Sequence, residues 1–141
     1  MSRIINTENA GKERTRLTKT IVLAMRELLK QQKPDETTKN LVAYMILSLD
    51  AIAETVDQSV AAWEKRGYWV KADRFRLDWD WSGQIGVQLR GALMTEDWGE
   101  VARLTAKIGQ KLRSIKVAEK HRLGEPWVGA WGALLKEINH H

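Results

Sequence analysis

The pattern of apolar and polar positions along the chain predicts a helical protein. Apolar residues recur at three- and four-residue steps, the spacing that places them on one face of a helix. A first helix is predicted from about Lys12 to Gln32, and Pro34 ends it. A second is predicted from the N-cap candidate Asp35 to Arg66, with Gly67 as its C-cap. Its first half is apolar nearly all round, which is typical of a helix in the middle of a bundle.

The stretch from Trp63 to Trp81 has a pattern that fits two structures. It holds four of the seven tryptophans among five basic and four acidic residues. From Arg74 to Trp81 charged and apolar residues alternate, which is the period of a strand, yet Arg and Asp also recur at the i,i+4 spacing that supports a helix. We interpret the stretch as the start of a third helix, from about Tyr68 to Met94. Its internal glycines indicate close contact with another helix, or a kink near Ser82.

We expect different roles for five aromatic residues, of which four are tryptophans and one is the phenylalanine. Phe75 and Trp79 share the core-facing side of the third helix, so we expect truncation of either to be strongly destabilising. Trp69 and Trp81 lie off that side. Together with Trp127 in the last helix, they are the tryptophans that we expect to be exposed, for stacking on unpaired bases or for an interface.

The last third of the chain predicts two more helices. A fourth begins after the N-cap candidate Thr95, and its apolar stripe continues to Ile115. Residues 124–126, Gly-Glu-Pro, break the chain before a short helix from Trp127 to Ile138.

The predicted fold class is all-α, a four- to five-helix antiparallel bundle with short connections. Residues 1–141 form a single helical domain, with residues 1–11 as a frayed lead-in. The absence of cysteine excludes disulfides, thiolate metal sites and a cysteine nucleophile. The beginning of the chain lacks a signal pattern and no apolar run is long enough to span a bilayer, so we expect a cytoplasmic protein without membrane contact.

Charge is distributed in blocks along the chain. The net charge is +5 in residues 1–33, −5 in residues 34–64, zero in residues 65–100 and +5 in residues 101–141. Basic faces on the first and fourth helices suggest phosphate binding, and an ordinary solvated face is the alternative interpretation. The candidate nucleic-acid-binding residues are Lys12, Arg16, Lys19, Arg26, Lys30, Arg103, Lys107, Lys111, Arg113, Lys116 and Lys120.

Carboxylate chemistry is the enzymatic option that the sequence leaves open. No nucleophile motif or phosphate-binding glycine loop is present. Asp50, Glu54 and Asp57 share a helix face, and their Glu-x-x-Asp spacing resembles the second half of the Mg²⁺ motif of MazG-type nucleotide pyrophosphohydrolases. The first half is missing, because Lys39 stands where an acid is required. We therefore expect a protein that is not an enzyme, with no metal site and no cofactor.

The whole profile resembles the small helical subunit of multi-subunit CRISPR effector complexes. The shared features are a compact helical chain of this size, basic faces, no catalytic set, and stripes of opposite charge. This resemblance rests on overall character and carries no residue role over. It implies binding to single-stranded nucleic acid or a guide–target hybrid, and packing against other subunits and copies of itself. A stand-alone bundle that binds a protein partner is the alternative, and RNA and DNA both stay open as ligands.

Overall fold

A computed structural model describes residues 7–139 and shows an all-α bundle. No strand occurs within those residues, and the stretch from Arg74 to Trp81 is helical. The all-α prediction is therefore confirmed. The five helices are α1 (Thr7–Leu28), α2 (Glu36–Lys65), α3 (Trp69–Met94), α4 (Trp98–Lys111) and α5 (Ala130–Asn139).

Helix α2 is the centre of the bundle and packs against α1, α3 and α5. The fully apolar part predicted to be buried is buried, with Leu41, Met45 and Ile46 inaccessible to solvent. Asp35 caps the helix as predicted, because its carboxylate accepts a hydrogen bond from the backbone N–H of Thr38 while the Thr38 hydroxyl accepts one from the Asp35 N–H. These contacts fix where the central helix begins.

Helices α2 and α3 approach closely through small residues. A Cβ atom on Gly86 would lie 3.3 Å from a carboxylate oxygen of Asp50, and one on Gly83 would lie 3.7 Å from the Cβ of Ala53. Helix α3 continues through Ser82 without a break. Close contact with α2 therefore accounts for Gly83 and Gly86, whereas a Cβ atom on Gly91 would meet nothing within 4 Å.

Several helix ends differ from the prediction. Helix α1 begins at Thr7, so the part of the expected lead-in from residue 7 to residue 11 is helical, while residues 1–6 lie outside the described residues. The same helix ends at Leu28 rather than Gln32. The expected N-cap Thr95 is instead the C-cap of α3, and Asp97 caps α4 by accepting from the backbone N–H of Glu100.

Helix α4 ends at Lys111, well before the predicted break, and residues 112–129 form a non-helical return segment. Arg26 donates hydrogen bonds to the carbonyl oxygens of Val117 and Ala118, which a continuing helix would use for its own bonds. From Ile115 to Val117 burial alternates, since Ile115 and Val117 are half-buried and Lys116 is exposed. Tertiary contact therefore overrides the helical spacing here.

The return segment leads the chain back to the end of the bundle at which α2 begins, so that α5 starts beside the start of α2. The backbone N–H of Trp131 donates to Asn40 Oδ1 (2.9 Å), and Glu137 meets Asp50 through the shared partner Arg90. The contact nearer the start of α2 involves the start of α5, and the contact farther along α2 involves a later residue of α5. Helix α5 therefore runs parallel to α2, whereas α1 to α4 alternate in direction. Helix α5 begins at Ala130 rather than at Trp127. None of the helices between residues 7 and 139 is both long enough and apolar enough to cross a bilayer.

Candidate nucleic-acid interface

The strongest basic surface lies on α4 and the first half of the return segment, residues 103–122, which we call the basic segment. Its seven Lys and Arg residues are all exposed, and its one acidic residue is Glu119. Arg103 forms an ion pair with Glu100, whereas the other six form no ion pair within residues 7–139. The seven basic residues are Arg103, Lys107, Lys111, Arg113, Lys116, Lys120 and Arg122.

The charges of the basic segment affect a neighbouring carboxylate. The side-chain hydrogen bond from Arg103 lowers the pKa of Glu100, and the positive charges of Arg103 and Lys107 lower it further. Arg103 is therefore largely compensated within its own helix. The uncompensated positive charge begins at Lys107 and continues into the return segment.

Arg26 holds the basic segment against α1. Its guanidinium nitrogens lie 2.6 Å and 3.4 Å from the carbonyl oxygens of Val117 and Ala118. Arg26 is among the predicted phosphate-binding residues, and in the structure its guanidinium makes these contacts within the chain. They place Lys116 and Lys120 beside α1.

The basic stripe predicted on α1 is not a continuous solvent-facing surface. Leu23, which interrupts it, is only 2% exposed and belongs to the core. Arg16 forms an ion pair with Glu13, and Lys30 forms one with Glu27. Lys12 and Lys19 are exposed. The structure therefore leaves the basic segment, rather than α1, as the main candidate surface.

The three tryptophans expected to be exposed take three different positions. Trp69 is 59% exposed, in agreement with the prediction. Trp127 is only 7% exposed and belongs to the core, so its predicted exposure is wrong. Trp81 is half-buried rather than exposed, and it stacks on Trp79 with their ring centroids 5.9 Å apart.

Trp69 does not join the basic segment. It begins α3, whose 26 residues extend about 39 Å. Helix α4 follows the opposite end of α3 and returns only about 21 Å. Stacking of a base on Trp69 and phosphate binding by the basic segment would therefore take place at two separate positions on the protein.

Arg14 is a partly buried arginine of the bundle that the sequence prediction missed. Its guanidinium carbon lies 4.6 Å from the ring centroid of Phe75 and 5.7 Å from that of Trp79, within the range of cation–π contact. Nη1 also reaches the hydroxyls of Thr55 and Ser59, at 3.3 Å and 3.4 Å. Burial lowers the pKa of Arg14. The sequence pattern does indicate this burial, because Arg14 lies one helical turn before the core residues of α1 and on the same face.

The acidic stripe of α2 is partly used inside the bundle. Asp50 accepts a hydrogen bond from Arg90 (2.6 Å), and the same nitrogen donates to Glu137 on α5 (3.0 Å). Glu54 and Asp57 are exposed. Between residues 7 and 139 there is no group of three or more His, Asp or Glu side chains arranged to hold a metal ion.

Comparison of the chain with protein-family models, with curated proteins and with solved structures finds no match.

Proposed function

We propose that the protein is a non-catalytic nucleic-acid-binding helical subunit that contacts phosphates through the basic segment. The observation that carries this proposal is the run of exposed cations from Lys107 to Arg122 with one acidic residue among them. An ordinary solvated surface mixes the two signs of charge. A run of one sign attracts a polyanion and gains affinity from the counterions that it releases.

The shape of the return segment supports binding to a flexible strand. Ile115 and Val117 are half-buried while Arg113 and Lys116 are exposed, so the cations follow a line along the surface. Arg26 ties this line to α1 and limits the conformational freedom that binding would have to remove. Single-stranded nucleic acid and a guide–target hybrid both present a phosphate backbone to such a line.

The sequence resemblance extends the proposal to an assembly. A small helical subunit of a multi-subunit ribonucleoprotein effector complex would lie beside the bound nucleic acid and contact its backbone without cleaving it. The basic segment is the surface that would face the nucleic acid in this arrangement.

The proposal is tested by the salt dependence of binding to a labelled single-stranded RNA or DNA oligonucleotide, measured by fluorescence anisotropy. Affinity should fall steeply between about 50 and 200 mM salt, with a log–log slope of about −0.7 for each phosphate contacted. Replacing four exposed cations by alanine should weaken binding and make the slope shallower by about 2.8. These four residues are Lys111, Arg113, Lys116 and Lys120.

A matched control removes the same amount of charge elsewhere. It replaces four exposed cations outside the basic segment by alanine, namely Lys65, Arg66, Arg74 and Lys136. If the basic segment is the binding surface, this control should keep nearly the wild-type slope. Equal weakening by both variants would show a general charge effect, and no binding at low salt would refute the proposal.

A further inference from the structure

The turn between α2 and α3 carries the longest run of exposed large apolar residues in the described part of the chain. Tyr68, Trp69 and Val70 are consecutive and are 55%, 59% and 75% exposed. The turn is tight, because Gly67 has a φ of 83° and α3 begins two residues later. Exposed aromatic residues are enriched where proteins bind one another, in comparison with the rest of the protein surface.

A groove opens beside this turn, between the end of α2 and the start of α3. The rings of Trp63 and Phe75 form its floor and meet edge to face, with their centroids 4.8 Å apart. Both residues are half-buried. The groove has a volume of about 370–440 Å³ by the size of comparable clefts, being 440 Å³ here, which lies in the range of ligand-binding clefts. We call it the tip groove, and the residues that line it are Trp63, Val70, Lys71, Arg74, Phe75 and Asp78.

The tip groove lies in a local excess of positive charge. Residues 64–76 carry a net charge of +3, although residues 65–100 as a whole carry none. Arg76 forms ion pairs with both carboxylates of this stretch, Glu64 (3.4 Å) and Asp73 (3.0 Å). The other four cations are exposed and form no ion pair within the described part of the chain. These four are Lys65, Arg66, Lys71 and Arg74.

An apolar floor with a basic rim is complementary to a partner that is both acidic and apolar. A flat membrane surface would touch the exposed residues of the turn without reaching the half-buried rings of the floor. Unpaired bases would need free ring faces for stacking, and each floor ring already has a cation against one face. Lys71 Nζ lies 4.6 Å from the ring centroid of Trp63. The guanidinium carbon of Arg14 lies 4.6 Å from that of Phe75.

Asp78 gives the tip groove a direction. It lies nine residues after Trp69, about 13.5 Å farther along the helix, and it is exposed. It forms no ion pair within residues 7–139. The carboxylates of a bound segment are therefore attracted to Lys71 and Arg74, at the end near the turn, and are repelled at the end near Asp78.

We propose that the tip groove binds a peptide segment of a partner protein that combines acidic and apolar residues. The apolar side chains of the segment contact Trp63 and Phe75, and its carboxylates pair with Lys71 and Arg74. Trp69 extends the apolar contact beyond the groove, in the manner of an interface hot spot. The tip groove does not include the basic segment, so this proposal stands or falls independently of nucleic-acid binding.

The proposal is tested by NMR chemical-shift mapping with a defined peptide. The probe is a short peptide that alternates glutamate with leucine and phenylalanine. Added to isotope-labelled protein, it should cause its largest shifts in the backbone amides of residues 63–78. Two matched peptides separate the contributions, one with glutamine at every glutamate and one with serine at every leucine and phenylalanine. Each should bind about tenfold more weakly than the probe or worse.

Two substitutions in the tip groove should change the affinity for the probe in opposite directions. Lys71→Glu should weaken binding about tenfold, because it reverses a charge on the rim. Asp78→Asn should strengthen binding about twofold, because it removes a repelling carboxylate. A merely structural role for these exposed residues would not produce opposite effects. Lys136→Glu reverses an exposed charge on α5 and should leave the affinity nearly unchanged.

Several results would overturn the proposal. These are the absence of shifts in residues 63–78 at millimolar peptide, the largest shifts in the basic segment, or equal weakening by Lys71→Glu and Lys136→Glu. Sedimentation equilibrium tests a second copy as the occupant, and self-association that Lys71→Glu abolishes would assign the groove to it instead. Binding of single-stranded RNA or of phosphatidylglycerol vesicles that Trp69→Ala abolishes, without binding of the probe, would assign the surface to that ligand.

Discussion

Arg90 connects three helices through a single guanidinium nitrogen. It donates to Asp50 on α2 and Glu137 on α5 from its own position on α3. Burial raises the pKa of Asp50, while the charge of Arg90 and its hydrogen bond oppose that shift. The raised pKa means that the folded protein binds the proton of Asp50 more tightly than the unfolded chain does.

The contribution of Asp50 to stability should therefore depend on pH. It is fully present below the ordinary carboxyl pKa and is lost as the pH rises through the raised pKa of the folded state. The Tm of the wild type minus that of Asp50→Asn should decrease as the pH rises from about 3.5 towards neutrality. Thermal melts monitored by circular dichroism across this range measure the difference.

Glu100→Gln is the control of opposite sign. The hydrogen bond from Arg103 lowers the pKa of Glu100, so its contribution is present above the ordinary carboxyl pKa and is lost as the pH falls. The corresponding Tm difference should increase with pH. A difference for Asp50→Asn that also increases with pH would contradict the assignment of burial as the dominant cause.

Single side chains were harder to place from the sequence than the helices that carry them. Phe75 and Trp79 were expected in the core, yet both are half-buried and pack with Arg14 and Trp81 at the edge of it. Truncating either should therefore cost less than the value of about 3–5 kcal/mol typical of a buried aromatic residue. Helical spacing gives the direction of a side chain, whereas its burial depends on what the neighbouring helices bring to that position.

At the scale of the elements, periodicity predicted the four long helices because each has a sustained apolar face. The prediction from periodicity is wrong after Lys111. Leu112 and Ile115 continue the helical spacing, but the helix itself ends at Lys111. The local sequence does not show that Arg26, far earlier in the chain, donates hydrogen bonds to the carbonyl oxygens of Val117 and Ala118. The short-range alternation of Ile115, Lys116 and Val117 was the one local sign of an extended segment.

Arg26→Gln should loosen the return segment without unfolding the bundle. The substitution removes the two long-range hydrogen bonds that hold this segment to α1. Trypsin should then cleave faster after Lys116, Lys120 and Arg122, because cleavage requires local opening. Mass spectrometry of the fragments at early times measures the rates.

Lys30→Gln supplies the comparison for this experiment. Lys30 lies beyond the end of the same helix and pairs with Glu27 at the surface, so its loss should leave the cleavage rates unchanged. Equal acceleration by both substitutions would mean that Arg26 does not specifically anchor the segment.

At the scale of the whole molecule, the charged blocks of the sequence become separate surfaces with separate roles. The acidic block lies on α2, where Asp50 and Glu64 pair with arginines of α3. The last basic block supplies the basic segment. Two residues of the acidic block therefore join α2 to α3, whereas Glu54 and Asp57 are exposed.

We expect no Mg²⁺-dependent release of pyrophosphate from any nucleoside triphosphate. The MazG-type motif lacks its first half in the sequence, and Asp50 is engaged by Arg90. A coupled pyrophosphate assay with and without Mg²⁺ measures this activity. Glu54→Ala should match the wild type in the assay, and activity lost specifically in that variant would establish a hydrolase instead.

The parallel placement of α5 beside α2 has a consequence for the order of folding. Helices α1 to α4 are joined by short turns and pack against sequence neighbours, the kind of local contact that forms rapidly. The bond from Trp131 to Asn40 spans 91 residues, and so does the bond from Arg26 to Val117, so both close far longer loops. Docking of the return segment and of α5 should therefore be the last and slowest steps. During synthesis, the first four helices can collapse together while the chain that completes their core is still being made.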